Sequence, residues 1–273
     1  MKINSLKKSF LNSSFYKVIH IIKKDPLNYL YTIILDFIFL ALILFIGKYT
    51  GSLIPQNPEQ LMALFKTQSA LLLFAIVYPL VYYLVIILIY SSVKMTILNL
   101  VRSLHEKINF SFKGFWKFYW MNVLVFLIFV LAGLVLLGIS ALILTQSFLK
   151  YFILILAIPF FFFLYSIINI SGTIFIKSPG KGMIKKSFSI SFNKIKEYGM
   201  FIVWDILFIL IYLIIYNLIH LFFRTVVFSN DALLSSYGGV YLTAFNIISL
   251  VFFYIIISFN RVYFYKRIDK NVL

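Results

Sequence analysis

The sequence predicts an all-α membrane protein: six transmembrane helices with parallel internal repeats, and amphipathic surface helices on the cytoplasmic side. Three observations carry that reading. Apolar runs of about 20 residues or more recur along the chain, and at 1.5 Å per residue each is long enough to cross roughly 30 Å of hydrocarbon. Lysine-rich segments separate alternate runs, so that 21 of the 25 basic residues fall on one side. A pattern that begins near Thr67 also returns at a constant offset of eighty positions.

Composition excludes most alternatives. Of the 273 residues, 63% are hydrophobic and only 12% charged, with a mean hydropathy of +1.01. A soluble domain is roughly half apolar and about a quarter charged, so this much apolar surface calls for lipid as solvent. Cysteine is absent, which removes disulfides, thiolate metal sites and cysteine nucleophiles. A net charge of +17 in a soluble chain would suggest nucleic acid. Here the charges lie between apolar spans, where they set topology, and no nucleic-acid partner is expected.

Residues 1–25 form a basic segment with six lysines, among them Lys7 and Lys8. It is too long and too polar ahead of the first apolar run for a cleaved signal peptide. Ile3, Leu6 and Phe10 suggest a short amphipathic helix on the membrane surface. Asp25-Pro26 has the form of a helix start, an acidic N-cap with proline at the first helical position. The membrane domain, 26–260, then carries spans at about 27–47, 67–90, 118–144, 151–176, 198–223 and 240–260. Pro79 and Pro159 fall within the second and fourth spans and are candidate kinks.

The connectors read differently from the spans. In 91–117, Ile97, Leu100, Val101, Leu104 and Ile108 recur at helical spacing, which predicts a surface helix. Phe115, Trp116, Tyr119 and Trp120 then mark an interfacial belt. A short turn at 145–150 makes spans three and four a hairpin. In 177–197, Pro179-Gly180 breaks the chain before an apolar stripe of Ile184, Phe188, Phe192 and Ile195. A loop is expected at 224–238 and a basic cytoplasmic tail at 261–273. The basic side is cytoplasmic by the positive-inside rule, which puts both termini inside a multi-pass protein of the cell membrane.

The eighty-residue offset maps Pro79 onto Pro159, Ser91 onto Ser171, Ser111-Phe112 onto Ser191-Phe192 and Leu127 onto Leu207. The copies are spans two and three, and spans four and five. Both copies run inward and then outward, so they are parallel repeats. Span six and the N-terminal segment with span one have the make-up of a third copy split across the termini, a pseudo-threefold bundle. Leu6-Lys7-Lys8-Ser9-Phe10 echoes Ile184-Lys185-Lys186-Ser187-Phe188.

The run FIKSPGKGMIKKSFSISFNKIKEYGMFIVWDILF leads a basic helix with a Ser187-Phe188 element through a basic-aromatic stretch into a span. It resembles the connector of six-helix prokaryotic integral membrane families, including the membrane domain joined to some glycerophosphodiester phosphodiesterases. The resemblance extends over about 26–265. It implies a fold and a location but no reaction, since the chain carries neither the soluble catalytic barrel nor the acidic metal cluster of those enzymes.

Asp36 in span one and Asp205 in span five stand out as intramembrane charges, about 13 Å and 10 Å from the inner ends of their spans. An ionisable group at such depth is a functional candidate by default. Both lie in the inner half and could share a polar pocket, with Asn122 as a neighbouring hydrogen-bond partner. The Gly-x-Gly-Asp element of presenilin-like proteases is absent, and Ser140 with His220 lacks the glycine of a rhomboid-like nucleophile motif. No metal or cofactor is expected. Lys7, Lys8, Lys107, Lys113, Lys185, Lys186 and Lys194 are candidate contacts for anionic inner-leaflet lipid headgroups. The reading is a non-catalytic membrane protein that organises lipid or protein partners at the cytoplasmic face. The alternative is a small transporter with a cavity between the repeats, using Asp36 and Asp205.

Overall fold

The computed structural model describes residues 13–53, 60, 64–65, 67–106, 111–143, 146–178, 180, 182–226 and 231–268. Lys7, Lys8 and Lys107 lie outside them, as do Ile3, Leu6 and Phe10. The described residues form α1 (Ser14–Lys24), α2 (Pro26–Leu53), α3 (Gln68–Ser103), α4 (Phe115–Ile143), α5 (Gln146–Lys177), α6 (Met183–Asn193), α7 (Ile195–Tyr198), α8 (Met200–Val226) and α9 (Asp231–Arg267), with no strand among them. Six of these, α2, α3, α4, α5, α8 and α9, are long and apolar enough to cross a membrane, and the chain is a multi-pass membrane protein.

Local chemistry sets several helix ends. The Ser13 hydroxyl accepts from the Tyr16 N–H at 3.2 Å and opens α1. Asp25 closes α1 and opens α2, where its carboxylate accepts from the Asn28 N–H at 3.2 Å and Pro26 takes the first turn. Thr67 caps α3 through the Ala70 N–H at 3.3 Å. Gly114 and Gly182 hold φ of 85° and 79°, the left-handed region that a side chain disfavours, at the turns into α4 and α6.

Three boundaries differ from the sequence reading because a helix continues where a connector is expected, in α9 even through Gly238-Gly239. No proline or glycine separates Tyr90 from Ser103, so α3 runs straight through the first half of the 91–117 connector. Ile97, Leu98, Leu100 and Val101 are buried in the bundle instead of lying on its surface. The turn at 145–150 is already helical from Gln146. Helix α9 starts at Asp231, inside the expected 224–238 loop, and ends at Arg267, so most of the expected tail is helix.

The side-chain distribution is that of a lipid-solvated protein. Ile76 and Ile158 are 68% and 74% exposed, whereas Asp36 and Lys94 are each 4% exposed. The main core gathers at the basic end, where Val18, Val101, Ile170, Ile174, Tyr198, Val262, Tyr263 and Phe264 close together. Helix α9 is central and packs on α1, α2, α3, α5, α7 and α8. Lys177 fastens the end of α5 to the end of α9: its ammonium donates to the Ile268 carbonyl at 2.7 Å and lies 4.4 Å from the Tyr265 ring centre.

Helices α3 and α5 approach closely at Gly172, where an added Cβ would stand 3.0 Å from Leu98 Cδ1. Gly138 faces open space. Gly172→Leu is therefore expected to destabilise the bundle by roughly 1–3 kcal/mol through overpacking, and Gly138→Leu to leave it unchanged. The thermal midpoints of the two variants in detergent check this.

His105 ends the α3 segment against Tyr265, with ring centres 4.7 Å apart and Nδ1 at 2.9 Å from the Val101 carbonyl. Burial holds its pKa below the ordinary 6.5; the Val101 carbonyl opposes this, while Lys266 and Lys177 add to it. The unfolded chain then takes up a proton that the folded ring resists. Stability should fall as pH drops below about 6.5, and His105→Phe should lose that component. Midpoints of both proteins measured from about pH 7.5 to 5 give the comparison.

Candidate functional site

A single layer of buried polar groups crosses the bundle near its basic end. Its centre is a two-pronged ion pair. Arg261 Nη1 donates to Asp36 Oδ2 at 2.5 Å and Nη2 donates to Asp36 Oδ1 at 2.9 Å. The residues are 4% and 9% exposed, so the pair is shielded from solvent on all sides. Asp36 sits ten residues into α2, about 15 Å along it, and Arg261 lies six residues before the end of α9. The planar guanidinium matches the carboxylate with two parallel N–H···O bonds, the geometry in which arginine outperforms lysine. Tyr29 adds a second α2–α9 link, its hydroxyl donating to the Ile255 carbonyl at 2.9 Å.

The neighbouring residue of α9 holds the second acid. Asn260 Nδ2 donates to both carboxylate oxygens of Asp205 on α8, at 3.0 and 2.9 Å. Consecutive helical residues project about 100° apart, so Asn260 and Arg261 serve different neighbours. Asp36 and Asp205 are thus recruited by adjacent positions of one helix but are not paired with each other. The expected shared pocket of two carboxylates is replaced by two separate pairings.

A second buried cation completes the layer. The Lys94 ammonium on α3 donates to Asn169 Oδ1 on α5 at 3.1 Å, and it feels both the Asp36 carboxylate and the Arg261 guanidinium. Asn169 Nδ2 in turn donates to the Tyr165 carbonyl at 2.9 Å. Two acids and two bases, Asp36, Asp205, Lys94 and Arg261, cancel in formal charge. Tyr90 and Tyr165 face the same ion pair. Tyr165 Oη, Ser166 Oγ, Ser258 Oγ, Asn260 Oδ1 and Arg261 Nε are buried without a hydrogen-bond partner, so the layer retains spare donors and acceptors.

Sequence reasoning missed Lys94 and Arg261 because both were counted as topology-setting charges, one in a connector and one in the tail. A signal existed: Arg261 is followed by the apolar run Val262-Tyr263-Phe264-Tyr265, and Lys94 stands within an unbroken helical stretch. Asn122 does not meet the acids. Its Nδ2 donates to Ser91 Oγ at 2.9 Å and joins α4 to α3. Ser140 donates to the Leu136 carbonyl at 2.6 Å, and His220 contacts the Tyr241 hydroxyl at 3.2 Å, so each has its own partner. Pro79 and Pro159 lie inside α3 and α5, which continue past them. Lys113 and Lys185 are exposed, and Lys186 and Lys194 are half-exposed. Among the described residues no three His, Asp or Glu side chains gather as a metal site.

The cluster makes a sharp energetic prediction. Asp36→Asn strands the Arg261 guanidinium in the interior and is expected to cost about 3–5 kcal/mol, while Asp36→Leu combined with Arg261→Met should recover most of that loss. Asp205→Asn keeps one amide–amide hydrogen bond to Asn260 and should cost much less. Detergent-phase thermal midpoints of the four proteins, wild type included, resolve the order.

The chain matches no protein-family model, no curated protein and no solved structure.

Proposed function

We propose that this chain is a non-catalytic integral membrane protein of the cell membrane that organises anionic inner-leaflet lipid, and partners drawn to it, at its cytoplasmic face. The observation that supports this reading is the closure of the interior charges. Asp36 and Asp205 are both engaged by α9, and neither lines a cavity described below. Among the described residues most of the accessible charge is the cationic surface at the basic end, including Lys113, Lys117, Lys185 and Lys196, with Lys48 exposed at the opposite end. Such residues attract anionic lipid by about 1 kcal/mol each near the surface. The excess of basic residues there supports a cytoplasmic location for that end and for both termini. Parallel repeats belong to the same proposal; they are supported by Pro79 and Pro159 inside α3 and α5 and by burial of both Ser91 and Ser171.

The transporter alternative needs the two acids released into a common path, and their separate pairings favour the organising role. Spin-labelled lipids decide between them. The reconstituted chain is expected to restrict labelled phosphatidylglycerol more than labelled phosphatidylcholine. The preference should shrink in high salt and in Lys185→Gln combined with Lys196→Gln. Equal restriction of the two lipids, or proton uptake into proteoliposomes that disappears in Asp205→Asn, overturns the reading.

A further inference from the structure

A cavity of about 690 Å³ lies at the basic end between α3, α4, α5 and the start of α6. Its wall carries three cations, Arg102, Lys113 and Lys117, and its floor is apolar, formed by Met95 and Phe175 at 1% and 6% exposure. The arrangement is built. Asn99, 7% exposed, donates through Nδ2 to the Ser111 carbonyl at 3.1 Å and ties the segment bearing Lys113 to α3. The left-handed Gly114 then turns the chain into α4 and sets Lys113 and Lys117 around the same opening as Arg102. Arg102 has one acidic neighbour, Glu106 at 3.5 Å, in a pair whose side chains are 35% and 56% exposed. Such a solvated pair is weak and leaves guanidinium N–H groups available.

The cavity has an apolar extension. A second hollow of about 440 Å³ shares Lys117 and Met183 with the first and continues along α4 past Trp116, Trp120 and Leu124. These three recur every fourth residue and so share one face of the helix. Trp116 and Trp120 are 65% and 55% exposed, at the basic end of an apolar span, where indole rings favour the membrane–water interface. A basic recess that opens into an apolar groove directed along a transmembrane helix has the polarity of an amphiphile with an anionic head.

The geometry points to a specific site for one anionic phospholipid: its phosphate among Arg102, Lys113 and Lys117, and one acyl chain in the groove along α4. This rests on the reading of the basic end as the anionic-lipid face and narrows it from general attraction to a single seat. Inorganic phosphate would satisfy the three cations but leaves the groove without a role.

Tryptophan quenching tests the assignment. The chain contains three tryptophans, and Trp204→Phe removes the one that lines neither hollow while keeping an aromatic ring against Phe15. This variant is reconstituted in phosphatidylcholine vesicles holding a small fraction of phosphatidylglycerol brominated in its acyl chains. Quenching of Trp116 and Trp120 should saturate near one lipid per chain and exceed that by brominated phosphatidylcholine at equal fraction. Lys117→Gln should lower the preference about fivefold, Lys117→Arg should keep it, and Lys48→Gln, near the opposite end of α2, should leave it intact. Millimolar inorganic phosphate should not relieve the quenching. Equal quenching by the two brominated lipids, or relief by free phosphate, overturns the site. If the spin-label preference persists while quenching shows none, the lipid-organising reading stands and this seat alone falls; if both preferences vanish, both fall. Retained helicity and a monodisperse elution profile exclude misfolding as the cause of any loss.

Discussion

A carboxylate two to three turns into an apolar helix has to be answered by the protein, because the bilayer offers it nothing. On insertion scales such a charge costs a few kcal/mol, and this cost shapes the arrangement around Asp36. The bidentate Arg261 contact fixes the rotation of α9 relative to α2, since the fork closes in one orientation only. Once α9 is fixed, Asn260 faces α8 and engages Asp205. Lipid tails supply no hydrophobic force between helices, so association depends on close packing and on polar bonds of this kind. The central position of α9 follows from its carrying both partners.

Packing and polarity then divide the molecule along its length. Around the ion pair, small residues allow close approach: Ser91, Ser166, Ser171 and Ser258 are fully buried, and Gly172 abuts Leu98. Away from it, large apolar side chains such as Leu72, Ile76, Leu154 and Ile158 face outward into lipid. Among the described residues most charges that remain accessible therefore collect at one end, with Lys48 exposed at the other. There Asn99 and Gly114 place lysines beside Arg102 rather than leaving them scattered. Within the bundle Arg261 answers Asp36, and the Lys94 ammonium is held by Asn169.

Much of the fold was legible in the sequence, and its limits are physical. Length and apolar density alone identify the six helices, because a bilayer imposes those features on any spanning segment. Asp25-Pro26 could be read as a helix start because capping is local chemistry. The connector helix was misplaced because amphipathic spacing describes a face without saying what covers it. In Ile97, Leu100, Val101 and Leu104 that face is buried against protein. Asp36 and Asp205 were visible as anomalies in apolar runs. Their partners were hidden because a basic residue near a span end looks alike whether it points to water or to a carboxylate. Asn122 shows the converse: an intramembrane polar residue whose partner, Ser91, is a neighbour on the adjoining helix and not an acid.

The separation of the ion pair along the chain has a temporal consequence. Asp36 and Arg261 are 225 residues apart. At ribosomal rates of about 5–20 residues per second, α2 waits roughly 10–45 s for its counter-ion to be made. Throughout that interval the nascent carboxyl group must carry its own proton, borrow a provisional partner or remain beside the insertion machinery. Helix α9 is the one that discharges this debt, so the bundle locks only after Arg261 has been made.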